Sequence, residues 1–156
     1  MQQVKLIRRD LVETFGLVCL YGITTFDDIR TREIRVIELV VFAIIGIILN
    51  LVNHTNSLIS VMGGVAVGVC ILIFSILSHE KVGRGDACII MVTGIYLGFL
   101  NTLLLMWVSF VLAAIGGMLV LSKSDKTMEK ELPFVPFLLA GYLLLYAIHI
   151  LRGVII

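Results

Sequence analysis

Residues 87–121 read ACIIMVTGIYLGFLNTLLLMWVSFVLAAIGGMLVL, with no charged side chain among them. A helix needs about 20 apolar residues to cross the hydrocarbon core of a bilayer, and about 17 suffice. The stretch is too long for one crossing and about right for two. Asn101-Thr102 is where the reading divides it, into 87–100 and 102–121 joined by a tight turn. Working outward, four more apolar runs occupy 11–26, 36–52, 58–77 and 133–151. Backbone groups in lipid have to be satisfied internally, so each run is read as a helix. The polar/apolar alternation of a transmembrane barrel is absent. The expected fold is all-α: a polytopic membrane protein of about six transmembrane helices, one domain over 1–156.

Composition agrees. Of 156 residues, 60% are hydrophobic and 15% charged, and the mean hydropathy is +1.11. A soluble domain runs near half apolar and a quarter charged. The net charge of +1 contains no basic block of the kind that binds nucleic acid. Cys19, Cys70 and Cys88 form no CxxC pair, so neither a zinc site nor a disulfide framework is indicated, and they read as small buried side chains. The N-terminal segment lacks a small-residue cleavage site and its apolar run carries Glu13, so it is expected to be retained.

The connectors divide into two kinds. Residues 53–57 and 101–102 hold no Lys or Arg. The other three carry Arg30, Arg32 and Arg35, then Lys81 and Arg84, then Lys123, Lys126 and Lys130. The positive-inside rule assigns those three to the cytoplasm. Both termini then lie outside, against the charge of Lys5, Arg8 and Arg9, so either the first ten residues are an interfacial segment or the chain has an extra re-entrant turn. Gly64-x-x-x-Gly68 and Gly94-x-x-x-Gly98 have the spacing of close helix–helix packing.

Ionisable residues at membrane depth are costly, which makes them functional candidates. In FDDIRTREI, residues 26–34, Asp27 and Asp28 close the first helix; the bland alternative is a solvated loop with ordinary ion pairs. Glu38 either snorkels beside Arg35 or lines a polar cavity. In GRGD, residues 83–86, Gly83 and Gly85 free the backbone and leave space beside Asp86. Asp86 stands near the positive end of a helix dipole, where it could serve simply as an N-cap. An adhesive Arg-Gly-Asp would need extracellular display, against the expected cytoplasmic loop. Asp28 and Asp86 fall on loops of one membrane face. Two carboxylates brought together at a partly dry site share one proton. The ionised member can then activate water and the protonated one can donate to a peptide carbonyl.

Three segments, in order, resemble the type IV prepilin peptidases, which share Gly-x-Gly-Asp with other membrane aspartic proteases. They are DIRTREI from Asp28, GRGDACIIMVTGIYLG from Gly83, and LPFVPFLLAGYLL from Leu132. The resemblance implies Asp28 and Asp86 as the catalytic pair, on a loop supported by Gly83 and Gly85. Asp27 is a rival that the spacing to Arg30, Arg32 and Ile34 disfavours. It also implies a substrate: a prepilin-like precursor with a short basic leader ending in Gly, followed by an apolar helix. Cleavage would occur at the cytoplasmic face of the inner membrane, with no metal or cofactor. Glu33 and Glu80 are candidate contacts for the basic leader, or else local partners of Arg32 and Lys81. The chain departs from the family pattern at Arg35, where a proline is frequent, and at Cys88, where a lysine is. Methylation of the new N-terminus is not expected, since the family associates it with an additional cytoplasmic region. The alternative from another class is a non-catalytic scaffold or small transporter.

Overall fold

A computed structural model of the chain describes residues 2–30, 35–53, 56–78, 83–123 and 134–155. These residues form five helices and no strand: α1 (Gln2–Arg30), α2 (Val36–Asn53), α3 (Leu58–Leu77), α4 (Arg84–Lys123) and α5 (Val135–Ile155). Among the described residues, Val36–Asn53, Leu58–Leu77 and Arg84–Leu119 are long and apolar enough to cross a membrane, and Val135–Leu151 is a shorter apolar helix. Their outer faces keep large apolar side chains uncovered, Ile37 and Ile59 among them, as lipid contact allows.

The division of 87–121 is confirmed and its position corrected. α4 leaves helical geometry at Gly98, where φ is 71° and ψ is −174°. That conformation is open essentially to glycine alone. Asn101 and Thr102 lie inside the helix that follows, their side chains bonded to the carbonyls of Leu97 (3.2 Å) and Gly98 (2.6 Å) one turn back.

Side-chain neighbours give the direction of each half. Along residues 84–97, Gly68 meets Met91 and Gly64 meets Gly94, so this half runs antiparallel to α3. After the corner, Gly141 meets Ser109 and Gly116 meets the ring of Phe137, so residues 99–123 run antiparallel to α5. α5 begins beside Asp28 and passes Tyr21 at Tyr142, so it runs antiparallel to α1. Thr93 and Tyr96 of the first half of α4 lie against Tyr21 and Gly16. The second half of α4 therefore returns toward the end of the bundle where its first half began. With the corner counted, the five helices contain six helical runs among the described residues.

The corner takes its hydrogen bonds from α2, α3 and the segment between them. An unbroken helix would give the Phe99 N–H to the Ile95 carbonyl. Instead Phe99 N–H goes to Ser60 Oγ at 3.2 Å, and Asn50 Nδ2 reaches the Ile95 carbonyl at 3.1 Å. Asn56 Nδ2 takes the Tyr96 carbonyl at 2.8 Å, and its N–H meets Asn50 Oδ1 at 3.3 Å. Backbone polarity freed by a break in lipid has to be answered in this way.

Close packing does the rest. A Cβ on Gly64 or Gly94 would enter the other helix's backbone. Gly64, Gly68 and Gly94 thus act as packing surface, whereas Gly98 is the corner. The Tyr96 ring lies between Gly16 of α1 and Gly46 of α2, and its hydroxyl donates to the Phe42 carbonyl at 2.8 Å. Leu17, Leu20, Leu39, Ile89, Leu105 and Leu138 join these tyrosines in one buried cluster from α1, α2, α4 and α5. From Gln2 onward the N-terminal segment is continuous with α1. Charge interrupts an apolar run without interrupting a helix.

Candidate active site

Three helix ends meet at the end of the bundle away from Gly98. Asp27 and Asp28 occupy the last turn of α1 (Gln2–Arg30), Asp86 the first turn of α4, and Val135 opens α5. Helix N-termini present backbone N–H groups with no partner inside the helix. Val135 N–H donates to Asp28 Oδ2 across 3.4 Å. The carboxylate of Asp28 also acts electrostatically on Asp86. So two acids separated by more than fifty residues of chain stand at the same end of the bundle, one of them beside a backbone donor.

Asp27 is engaged elsewhere. Its Oδ2 lies 3.6 Å from Arg35 Nε, and Arg35 Nη1 lies 3.6 Å from Glu38 Oε1. Arg35 therefore bridges the end of α1 to the first turn of α2. Of the two readings of Glu38, the structure shows the one beside Arg35. Asp27 is buried, at 8% exposure, yet it meets Arg35 while its neighbour meets Val135. Adjacent residues on a helix point about 100° apart, which allows the two different surroundings.

The loop before Asp86 requires one correction. Gly83 is the capping residue: its carbonyl receives the Ala87 N–H at 3.4 Å. Asp86 is the third residue of the helix, so the N-cap alternative does not describe it. Gly85 lies within the helix, in ordinary helical conformation, so its glycine freedom is not used in bending the chain. Gly83 matters through space: a Cβ there would stand 3.0 Å from Asp86 Oδ2. Glu33 and Glu80 lie outside the described residues. Among the described residues no group of His, Cys, Asp and Glu is arranged to hold a metal ion. Cys88 is partly buried and packs against the buried cluster.

Several polar groups under the acids went unread in the sequence. Tyr21, Thr24 and Thr93 are all buried. Thr24 is one turn before Asp28 and bonds the Leu20 carbonyl at 2.7 Å. Thr93 bonds the Ile89 carbonyl and the Tyr21 hydroxyl, both at 2.8 Å. Their helical spacing from the two acids was the available signal. The Val135 N–H had none, being a backbone group on the far side of 107 residues.

Against known proteins, no curated sequence and no solved structure matches this chain. A family model does: that of the type IV leader peptidase family, over residues 15–118. The match includes both acids and the corner at Gly98, and ends before the segment from Leu132.

Proposed function

The chain belongs to the type IV leader peptidase family, and from that membership we propose that it is an endopeptidase using Asp28 and Asp86 as its acid–base pair. What supports the reading is that these two carboxylates, from α1 and α4, stand at helix ends on the same end of an apolar helical bundle, near enough for Asp28 to act electrostatically on Asp86. The substrate is a prepilin-like precursor, with a basic leader ending in Gly and an apolar helix after it. Arg30, Arg35 and Arg84 stand at the helix ends that carry the acids, which supports a site at the cytoplasmic face of the inner membrane. Glu33 and Glu80 are the proposed contacts for the leader's positive charge.

In the mechanism we assign, Asp28 is the base, because the Val135 N–H donated to its Oδ2 favours the ionised carboxylate. Asp28 removes a proton from water, and the water oxygen bonds to the peptide carbonyl carbon. Asp86, carrying the proton the pair retains, donates it to the carbonyl oxygen. The tetrahedral diol then collapses: a diol proton returns to Asp86, the C–N bond breaks, and the proton on Asp28 passes to the leaving nitrogen. Atoms and charge balance without a metal.

The test is cleavage of such a precursor by the purified protein in lipid. Asp28→Asn and Asp86→Asn are each expected to abolish it while the protein still inserts, and the double variant to lose no more than either single one. Asp27→Asn is expected to keep substantial activity. A dead Asp27→Asn beside an active Asp28→Asn would overturn the assignment of the pair.

A further inference from the structure

Tyr21 contacts the same two helices that meet at Asp28, two turns deeper in the bundle. Its hydroxyl lies 2.8 Å from Thr93 Oγ1 of α4. Its ring packs edge-on against Tyr142 of α5, with centroids 5.6 Å apart. Asp28 lies near enough to Asp86 of α4 to act on it electrostatically, and its Oδ2 accepts the N–H of Val135 on α5. The offsets are the same in all three helices: 21 to 28, 86 to 93 and 135 to 142, each seven residues. Seven residues bring a helix back to within about 20° of the same face, about 10 Å along its axis. The Tyr21 junction is therefore a second layer directly beneath the acids, built from the same faces of the same helices.

The hydrogen bond has a defined direction. Thr93 Oγ1 lies 2.8 Å from the Ile89 carbonyl, and a carbonyl can only accept. The single Thr93 hydrogen goes there, so Tyr21 is the donor to Thr93. Both groups are buried, Tyr21 at 0% and Thr93 at 1% exposure, so neither can exchange its partner for water.

We propose that Tyr21 is a positioning residue for the acid pair: its hydroxyl on Thr93 and its ring on Tyr142 set the approach of α1 to α4 and α5, and with it the separation of Asp28 from Asp86. The proposal rests on the peptidase reading for its kinetic arm, and it has a structural arm that does not. Tyr21→Phe removes one oxygen and keeps the ring against Tyr142, so the bundle still assembles. An interhelical hydrogen bond in a membrane carries a modest energy, which as a rate effect corresponds to about three- to tenfold.

The kinetic arm measures precursor cleavage. Tyr21→Phe is expected to lower kcat about three- to tenfold with KM within about twofold of the parent, and Thr93→Val to do the same or worse. Thr93→Ser, which keeps the hydroxyl, is expected to restore most of kcat. The structural arm introduces Asp28→Cys and Asp86→Cys into a chain carrying Cys19→Ser, Cys70→Ser and Cys88→Ser. It measures the rate at which a short bifunctional thiol reagent joins the two positions. Adding Tyr21→Phe is expected to slow that reaction at least about threefold. Unchanged cross-linking in Tyr21→Phe overturns the proposal, as does a loss of stability with kcat intact. Should the parent cleave no precursor, the peptidase reading fails by itself, and the cross-linking rate alone decides on Tyr21.

Discussion

Replacing Gly98 with Ala is expected to damage the fold more than its single methyl group suggests. At φ 71° and ψ −174° the residue stands where an L side chain is rarely tolerated, at a strain of about 1–3 kcal/mol. The new Cβ would also meet Ser60 Oγ, and it would stand 3.1 Å from Asn56 Oδ1. Ser60 cannot retreat freely, since it accepts the Phe99 N–H at 3.2 Å. Losing that bond adds about 1 kcal/mol. The sum, about 2–4 kcal/mol, is a large share of the 5–15 or so that holds an ordinary domain together. Reversible unfolding in mixed micelles measures it. The single tryptophan, Trp107, sits on the helical run that follows the corner and supplies the fluorescence signal. Gly22→Ala is the control: nothing lies within 4 Å of its Cβ position and the residue is helical, so a neutral effect or a gain of up to about 1 kcal/mol is expected. A Gly98→Ala protein within about 0.5 kcal/mol of the parent would refute both the corner and the strain assigned to it.

Two further substitutions probe the acids' end. Gly83→Ala puts a Cβ 3.0 Å from Asp86 Oδ2, so the carboxylate has to shift by a few tenths of an ångström. About a fivefold loss in kcat with KM unchanged is expected, given that a 1 Å misplacement can cost about a hundredfold; full activity would show that the space beside Asp86 is immaterial. Arg35→Ala removes the bridge between Asp27 and Glu38, but the arginine side chain is 69% exposed. Its loss is expected to cost less than about 1 kcal/mol in unfolding experiments and to matter less at high salt; a larger or salt-independent effect would mean that the bridge holds α1 to α2 in a way its exposure does not suggest.

Length and hydropathy were enough to read a helical membrane bundle and to divide 87–121 into two runs. They misplaced the turn, for a physical reason. Asn101 and Thr102 look like a break because they are polar, yet each satisfies itself on a carbonyl one turn back. The real break looks featureless in sequence. Its polar partners are Asn50, Asn56 and Ser60, about forty residues away. The same logic divides the site. Asp28 and Asp86 could be picked out because a charge beside lipid is conspicuous wherever it falls. Val135 could not, because its contribution is an N–H exposed only by the start of α5. Gly83 and Gly85 were read both as freeing the backbone and as leaving space beside Asp86. Gly85 turned out helical and Gly83 to be making room, while the bending belongs to Gly98.

The corner at Gly98 also limits how much lipid can surround the protein there. Residues 84–97 extend only about 21 Å at the helical rise, whereas the hydrocarbon of a typical bilayer is about 30 Å thick. Both ends of that short run are polar: acids at one, and Asn50, Asn56 and Ser60 at the other. A span too short for its membrane draws the two headgroup layers toward each other. Around residues 84–97, however, neighbouring helices stand where lipid would: Ala87, Ile89, Ile90, Val92, Ile95 and Tyr96 are all buried. Each cleavage consumes one water molecule, which an apolar slab of full thickness would withhold. By turning the chain back early, Gly98 leaves the run beneath the acids shorter than that slab, with polar side chains at both of its ends.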